Sequence, residues 1–299
     1  MILRKLLGLG LILSFCLGLF LAAAPAEAML LSSPFPAGFL KVSKAPRPVY
    51  DDIPIESNAA VRKWVYFFTH DNRNRFDRFM SRGARYRILV QEILEENGVP
   101  AEMYYLGMIE SGYASKARSN ARAVGIWQFI APTARRYGLR IDRQVDERLD
   151  VLRSTKAAAQ YLKDLKLEFG SWYMAMAAYN CGEGRVRRAI RRNGTRDFWT
   201  LAHRRALPIE TADYVPKFQA AMRIARSPVQ FGFANVVHYE FPEIKLVRVR
   251  NQLAIEEIAR RERVPVANIR AMNPHLLGSR VPRLASGYGV WIPRSRAAL

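Results

Sequence analysis

Glu110 closes the run Tyr104-Tyr105-Leu106-Gly107-Met108-Ile109, in which no other residue carries a charge. A carboxylate among such neighbours loses hydration, and the loss raises its pKa toward the range where a carboxyl group can donate a proton at neutral pH. A general acid for a glycosidic oxygen needs that property. The same residue facing water in a helix's last turn would be an ordinary surface glutamate, so the run makes it a candidate and no more. Ser111, next in the chain, can orient it. Further on, Gly125-Ile126-Trp127-Gln128-Phe129 combines three useful parts. The glycine permits an unusual backbone, the indole can stack on a pyranose face, and the Gln amide can read an N-acetyl group. A tryptophan in such a run more commonly ends in the core. Tyr179 and Asn180 end a segment, 172–180, with no charged residue at all. Their hydroxyl and amide therefore enter a buried place where each must find a partner.

These groups need rigid elements to carry them, and the spacing supplies helices. Val61, Trp64, Val65 and Phe68 fall at i, i+3, i+4 and i+7, and Tyr86, Leu89, Val90 and Ile93 repeat the pattern until Gly98-Val99-Pro100 stops it. Both stripes read as core. Residues 101–111 form a third helical segment ended by Gly112. Pro132-Thr133 opens a short helix that Gly138 closes. Ser154 can cap a longer one with Ala158, Tyr161, Leu162, Leu165 and Phe169 on one face. The segment 172–180 is a compact apolar helix broken by Gly182-Glu183-Gly184, and 207–225 is helical around Pro216. Beyond Ser227-Pro228 and Gly232 the pattern changes to a strand at 245–249, short helices at 255–260 and 266–272, and a closing strand at 290–293. The expected fold class is mainly α: a helical catalytic domain at 53–227, a linker at 228–242, and a small β-α-α-β module at 243–299.

The first residues read as an address. Arg4 and Lys5 precede an apolar run at 6–21, and Ala26-Glu27-Ala28 fits an A-x-A cleavage site, giving a signal peptide over 1–28 with the mature chain starting at Met29. The alternative is an uncleaved anchor. Either way the protein is expected to be exported to the periplasm or cell envelope. Residues 29–52, with Pro34, Pro36, Pro46 and Pro48, read as an extended lead-in. Cleavage removes Cys16 and leaves Cys181 alone, so no intramolecular disulfide is available and the fold must rest on its apolar core. Buried and inert, or open to modification, are the two fates for that thiol. The net charge of +21 predicts attraction to a polyanion: nucleic acid, anionic lipid, or a wall bearing peptide carboxylates. Export disfavours the first. Most of the basic residues are Arg, spread along the chain, so a general compositional habit explains the charge as well as steering does.

Taken in order, the motifs are no longer independent. Tyr104-Tyr105-Leu106-Gly107-Met108-Ile109-Glu110-Ser111-Gly112-Tyr113, then Ala123-Val124-Gly125-Ile126-Trp127-Gln128-Phe129, then Ala177-Ala178-Tyr179-Asn180-Cys181-Gly182-Glu183-Gly184 resemble the lytic transglycosylase family. Leu207-Pro208-Ile209-Glu210-Thr211 with Tyr214-Val215-Pro216-Lys217 looks like the further motif of its membrane-bound, D-type murein transglycosylase subgroup. The resemblance implies a lysozyme-like helical domain and an enzyme, a lyase cutting the β-1,4 bond between N-acetylmuramic acid and N-acetylglucosamine in peptidoglycan. It implies that Glu110 first protonates the leaving oxygen and then takes the proton of the muramyl C6 hydroxyl as that oxygen attacks C1, leaving a 1,6-anhydromuramyl end. Gln128, Tyr179 and Asn180, with Ser111, would line the sugar site, Trp127 would adjoin it, and Glu210 and Tyr214 would close the cleft. Cys181 departs from the family, which usually has a small residue such as Ala there. The C-terminal β-α-α-β order, with Asn273-Pro274 and Trp291-Ile292-Pro293, resembles a LysM domain, a small glycan-binding module of cell-wall proteins. Its usual Gly-Asp-Thr-Leu opening is replaced by Arg250-Asn251-Gln252-Leu253. Glycan binding and simple packing onto the catalytic domain both remain open.

Three rivals stand beside this reading. A hydrolytic muramidase would need a second carboxylate to activate water, and Asp142, Asp146, Asp150 and Glu183 are available by sequence. A non-catalytic peptidoglycan-binding protein would keep the fold without the chemistry. A metal-dependent peptidase fails on residue types, because His70, His203, His238 and His275 are far apart with no H-E-x-x-H pairing. No cofactor and no nucleic-acid partner are expected.

Overall fold

A computed structural model describes residues 53–233 and 241–294, all within one compact unit. The signal peptide, the lead-in and part of the linker expected from the sequence lie outside the described residues. No helix among those described is long and apolar enough to cross a membrane.

The protein is mainly helical. Ten α-helices precede the C-terminal module among the described residues: α1 (Ala59–Tyr66), α2 (Arg73–Ala84), α3 (Arg87–Glu96), α4 (Tyr104–Ser111), α5 (Ala131–Arg136), α6 (Val151–Phe169), α7 (Trp172–Cys181), α8 (Glu183–Asn193), α9 (Phe198–His203) and α10 (Ile209–Arg226). A short π-helical turn, Phe67–Asp71, follows α1 and carries the buried Phe68. The apolar α7 lies at the centre, against α6, α8 and α10. Its buried face is Met174, Ala175, Met176, Ala177 and Ala178, and the alanines let neighbouring helices approach closely. α10 also packs on α1 and α4, so α4, α7 and α10 meet in one core. Each large side chain sealed there, Phe218 for example, contributes about 1.5–3 kcal/mol of apolar burial.

Two helix starts differ from the expectation. Ser154 does not cap α6; the helix begins earlier, at Val151, with Asp150 as its cap. The Asp150 carboxylate accepts from the N–H groups of Leu152 and Arg153, each at 3.0 Å, and Ser154 Oγ instead donates back to the Asp150 carbonyl. An ionised Asp wins over Ser because it also meets the positive end of the helix. The Gly182-Glu183-Gly184 run is a corner rather than an end: Gly182 turns the chain and α8 starts at once.

The C-terminal module contains β1 (Ile244–Val249), α11 (Ile255–Glu262), α12 (Val266–Met272) and β2 (Tyr288–Pro293), the order the sequence implies. β1 and β2 pair antiparallel, in a register running from Ile244 opposite Pro293 to Val249 opposite Tyr288. β1 exposes Lys245 and Arg248, whereas every residue of β2 is buried. A strand buried on both faces needs a second covering layer, and the helical half supplies it. Val145, from the loop ahead of α6, sits fully buried in the module's own apolar cluster with Ile255, Ile258, Val281 and Val290.

Candidate active site

Glu110 is presented by the last turn of α4, a helix that stops abruptly at Gly112. Gly112 has φ +56°, and a Cβ there would lie 2.1 Å from the Phe79 ring, so only glycine fits both the conformation and the space. The Glu110 side chain is only partly accessible. Burial pushes its pKa up to about 7, the Tyr214 hydrogen bond pulls it back, the Glu210 charge adds to the rise, and the Lys217 charge opposes it. The Tyr214 hydroxyl, buried on α10, donates to Glu110 Oε1. No cation is in salt-bridge contact with Glu110 in the described structure, which leaves a carboxyl group that holds its proton near neutrality.

The loop 122–129 is joined to the last turn of α4 through Ser111. Ser111 Oγ donates to the Ile126 carbonyl at 2.9 Å, and the Tyr179 hydroxyl donates to the Trp127 carbonyl at 2.7 Å. Gly125, at φ +82°, lies so near the Arg148 carbonyl that a Cβ would come within 2.0 Å of its oxygen. Gln128 also holds a positive φ, +48°, in the left-handed region that side chains seldom adopt. Its Nε2 donates to the Gly125 carbonyl at 2.7 Å, and this bond fixes the amide in a strained turn. Asn180 Oδ1 accepts from Thr211 Oγ1 at 2.6 Å, tying the end of α7 to the start of α10.

The structure thus brings Glu110, Tyr214, Tyr179 and Ser111 together, with Gln128 and Asn180 on the bordering loop and helix end. Glu210 is exposed one turn ahead of Tyr214, close enough for its charge to act on Glu110. Trp127 is different and corrects the expectation of a stacking platform. Its side chain is 0% exposed, and its indole N–H donates to Thr155 on α6 at 2.9 Å. The ring is a core anchor for the loop, and only its carbonyl faces the site. Three contributors were not singled out by sequence reasoning. Lys217 lies 4.4 Å over the Trp64 ring and acts on Glu110 by charge. Thr211 orders Asn180. Arg148 donates to the carbonyls of Arg122 and Phe129 at 3.1 and 3.0 Å, bracing the loop from beneath. Lys217 and Thr211 stood inside the last motif and could have been found there; nothing local marks Arg148. Cys181 is half-buried, and burial pushes its thiol pKa up.

A desolvated acid, a hydroxyl that holds it and a rigid polar rim define a site for general acid and base chemistry. Residues 89–202 match the family model described as the transglycosylase SLT domain, and this part of the chain belongs to that family. Membrane-bound lytic murein transglycosylase D of Escherichia coli is 33% identical over 221 residues, which cover 72% of this chain and 48% of that protein. The peptidoglycan transglycosylase of an Escherichia phage is 36% identical over 101 residues, 33% of this chain and 8% of its own length. Among solved structures, the 70 kDa soluble lytic transglycosylase of Escherichia coli aligns with a TM-score of 0.41 at 19% identity, over 70% of this chain and 41% of that one. The chain spans about half the length of the curated D-type relatives it matches.

Proposed function

We propose that the protein is a peptidoglycan lytic transglycosylase of the cell envelope, in which Glu110 is the single acid and base. The observation that carries this reading is the Glu110 carboxyl, raised to about 7 by burial and held by a neutral hydroxyl rather than by a cation. In that state it protonates the oxygen between N-acetylmuramic acid and N-acetylglucosamine as the bond to C1 breaks. The resulting carboxylate, steadied by the Tyr214 hydroxyl, then accepts the proton of the muramyl C6 hydroxyl as that oxygen bonds to C1. The proton taken equals the proton given, and the glycan ends as a 1,6-anhydro sugar. A nucleophile within the substrate has a high effective concentration, so no second carboxylate is required.

The four carboxylates that could have served a hydrolase are engaged elsewhere. Asp142 pairs with Arg140 at 2.6 Å, Asp146 with Arg148 at 2.8 Å, Asp150 with Arg153, and Glu183 with Arg136 at 2.7 Å. Glu210 favours the hydrolytic reading, since it is exposed and its charge reaches Glu110. Mass spectrometry of peptidoglycan digested by the parent and by Glu210→Gln separates the two. Anhydro-ended fragments from both support the transglycosylase. Reducing ends from the parent, lost in Glu210→Gln, establish a muramidase. Intact glycan from the parent would mean a binding protein. The surplus of positive charge, +21, suits a wall whose peptides carry carboxylates.

A further inference from the structure

The C-terminal module grips the catalytic half through polar groups as well as through Val145. Asp146 N–H donates to the His275 carbonyl at 3.0 Å and Leu277 N–H to the Gln144 carbonyl at 2.9 Å. The Tyr288 hydroxyl donates to Glu147 Oε1 at 2.7 Å, and the Trp291 indole N–H to Asp150 Oδ2 at 2.9 Å. In return Arg153 donates to the Gly289 carbonyl at 2.9 Å, with its guanidinium 4.9 Å over the Tyr288 ring. All of these fall on one short stretch, 144–153. That stretch also underlies the candidate active site. Asp146, whose backbone the module holds, clamps Arg148 through two bonds of 2.8 Å, and Arg148 in turn holds the Arg122 and Phe129 carbonyls. The loop so held offers the carbonyls that Ser111 and Tyr179 use, and it keeps Gln128 at positive φ.

We propose that the C-terminal module is a positioning element of the catalytic site, fixing loop 122–129 through the 144–150 segment, rather than only a tether to the wall. Asp146 and Arg148 are the positioning residues, and Tyr288 and Trp291 are the module's handles on the adjoining Glu147 and Asp150 of the same segment. The proposal rests on the transglycosylase reading for its kinetic consequence and on geometry alone for its structural one. A loop with strained residues stays in place only when its surroundings over-determine it. Here part of those surroundings belongs to a module beyond residue 243. Coupling along such a bonded path has the size to change a rate severalfold.

The test uses the full chain, with Tyr288→Phe, which removes one hydroxyl, and the double variant Tyr288→Phe/Trp291→Phe. Turnover is measured on a short soluble glycan fragment and on insoluble peptidoglycan, and amide hydrogen exchange is followed in loop 122–129 and in α10. The expected result is kcat lowered about fivefold on both substrates by the double variant, with KM within about twofold, and a smaller effect from the single change. Exchange quickens in loop 122–129 while α10 stays protected. Activity lost on insoluble peptidoglycan alone would overturn the proposal, because it would make the module a tether. Unchanged exchange in the loop would also overturn it, as would exchange that quickens equally in α10, a sign of general destabilisation. A parent that yields no anhydro ends defeats the transglycosylase reading, while the exchange comparison still decides whether the module fixes the loop.

Discussion

Glu110 and Asp150 are both carboxylates surrounded largely by protein, yet they hold their protons in opposite ways. At Asp150 burial alone would raise the pKa, but Arg153 beside it, the His275 ring, the Arg153 backbone N–H and the Trp291 indole outweigh that and bring it below the usual carboxylate range. At Glu110 burial meets one hydroxyl donor and a distant lysine, and the balance stays on the protonated side of the usual value. Dehydration is therefore common to both, and the supply of donors and cations decides between them. One carboxylate becomes a structural clamp that caps α6 and joins two regions. The other is left with a proton to give.

The largest effect should come from Glu110→Gln, which keeps the shape and removes the acid. Its kcat on peptidoglycan should fall by roughly 10³-fold, measured by release of soluble fragments. The same change should stabilise the fold at pH 8. Because the folded pKa is raised from 4.5 to about 7, ionising Glu110 costs stability progressively as pH rises through that window. The variant escapes this and should be more resistant to urea at pH 8 by about 2 kcal/mol, with the advantage gone near pH 4.

Asp150→Ala should do the reverse, lowering stability at pH 7 by about 3–5 kcal/mol in urea unfolding, since it strips the cap of α6 and strands the buried Arg153. If the loss were under about 1 kcal/mol, the clamp would be ornamental and the contrast with Glu110 would fail. His275 sharpens the contrast further. It is 0% exposed, and its Nδ1, 3.3 Å from Asp150 Oδ2, is not aligned to bond it. Burial lowers its pKa from 6.5 to about 4, with Asp150 opposing and Arg153 assisting. A His pKa depressed on folding means that the unfolded chain binds the proton first, so stability falls as pH drops from 6.5 toward 4. A His275→Gln variant that folds should lack about 2–3 kcal/mol of that slope.

The smallest effects concern the tuning of Glu110. Tyr214→Phe removes a bond that favours the carboxylate, so the alkaline limb of kcat/KM should move to higher pH. Glu210→Gln removes a repelling charge and should move the same limb to lower pH. Shifts in the same direction for both variants would contradict the assignment of these two neighbours.

How far this contrast could be read from sequence depends on the distance over which each part acts. α3 and α7 were legible because their apolar residues lie close together at helical spacing, and Glu110 was legible because its dehydrating neighbours precede it in the same helix. The β-α-α-β order was legible for the same local reason. α8 was not, since its eleven residues are mostly polar and glycine precedes it. Trp127 was ambiguous because the same indole suits a sugar face or a core, and the choice fell to Thr155 on another helix. The Asp150 cluster was invisible: Arg153 lies one helical turn away, but His275 and Trp291 come from the C-terminal module, and only tertiary packing brings them to Asp150.

The most direct test of the central claim is the titration of Glu110 itself, by carboxyl ¹³C resonances of glutamate-labelled protein, with the signal assigned by its loss in Glu110→Gln. A midpoint near 7 is the predicted result. A midpoint near 4.5, that of an ordinary glutamate, would contradict the account, because the residue would then have no proton to give at neutral pH.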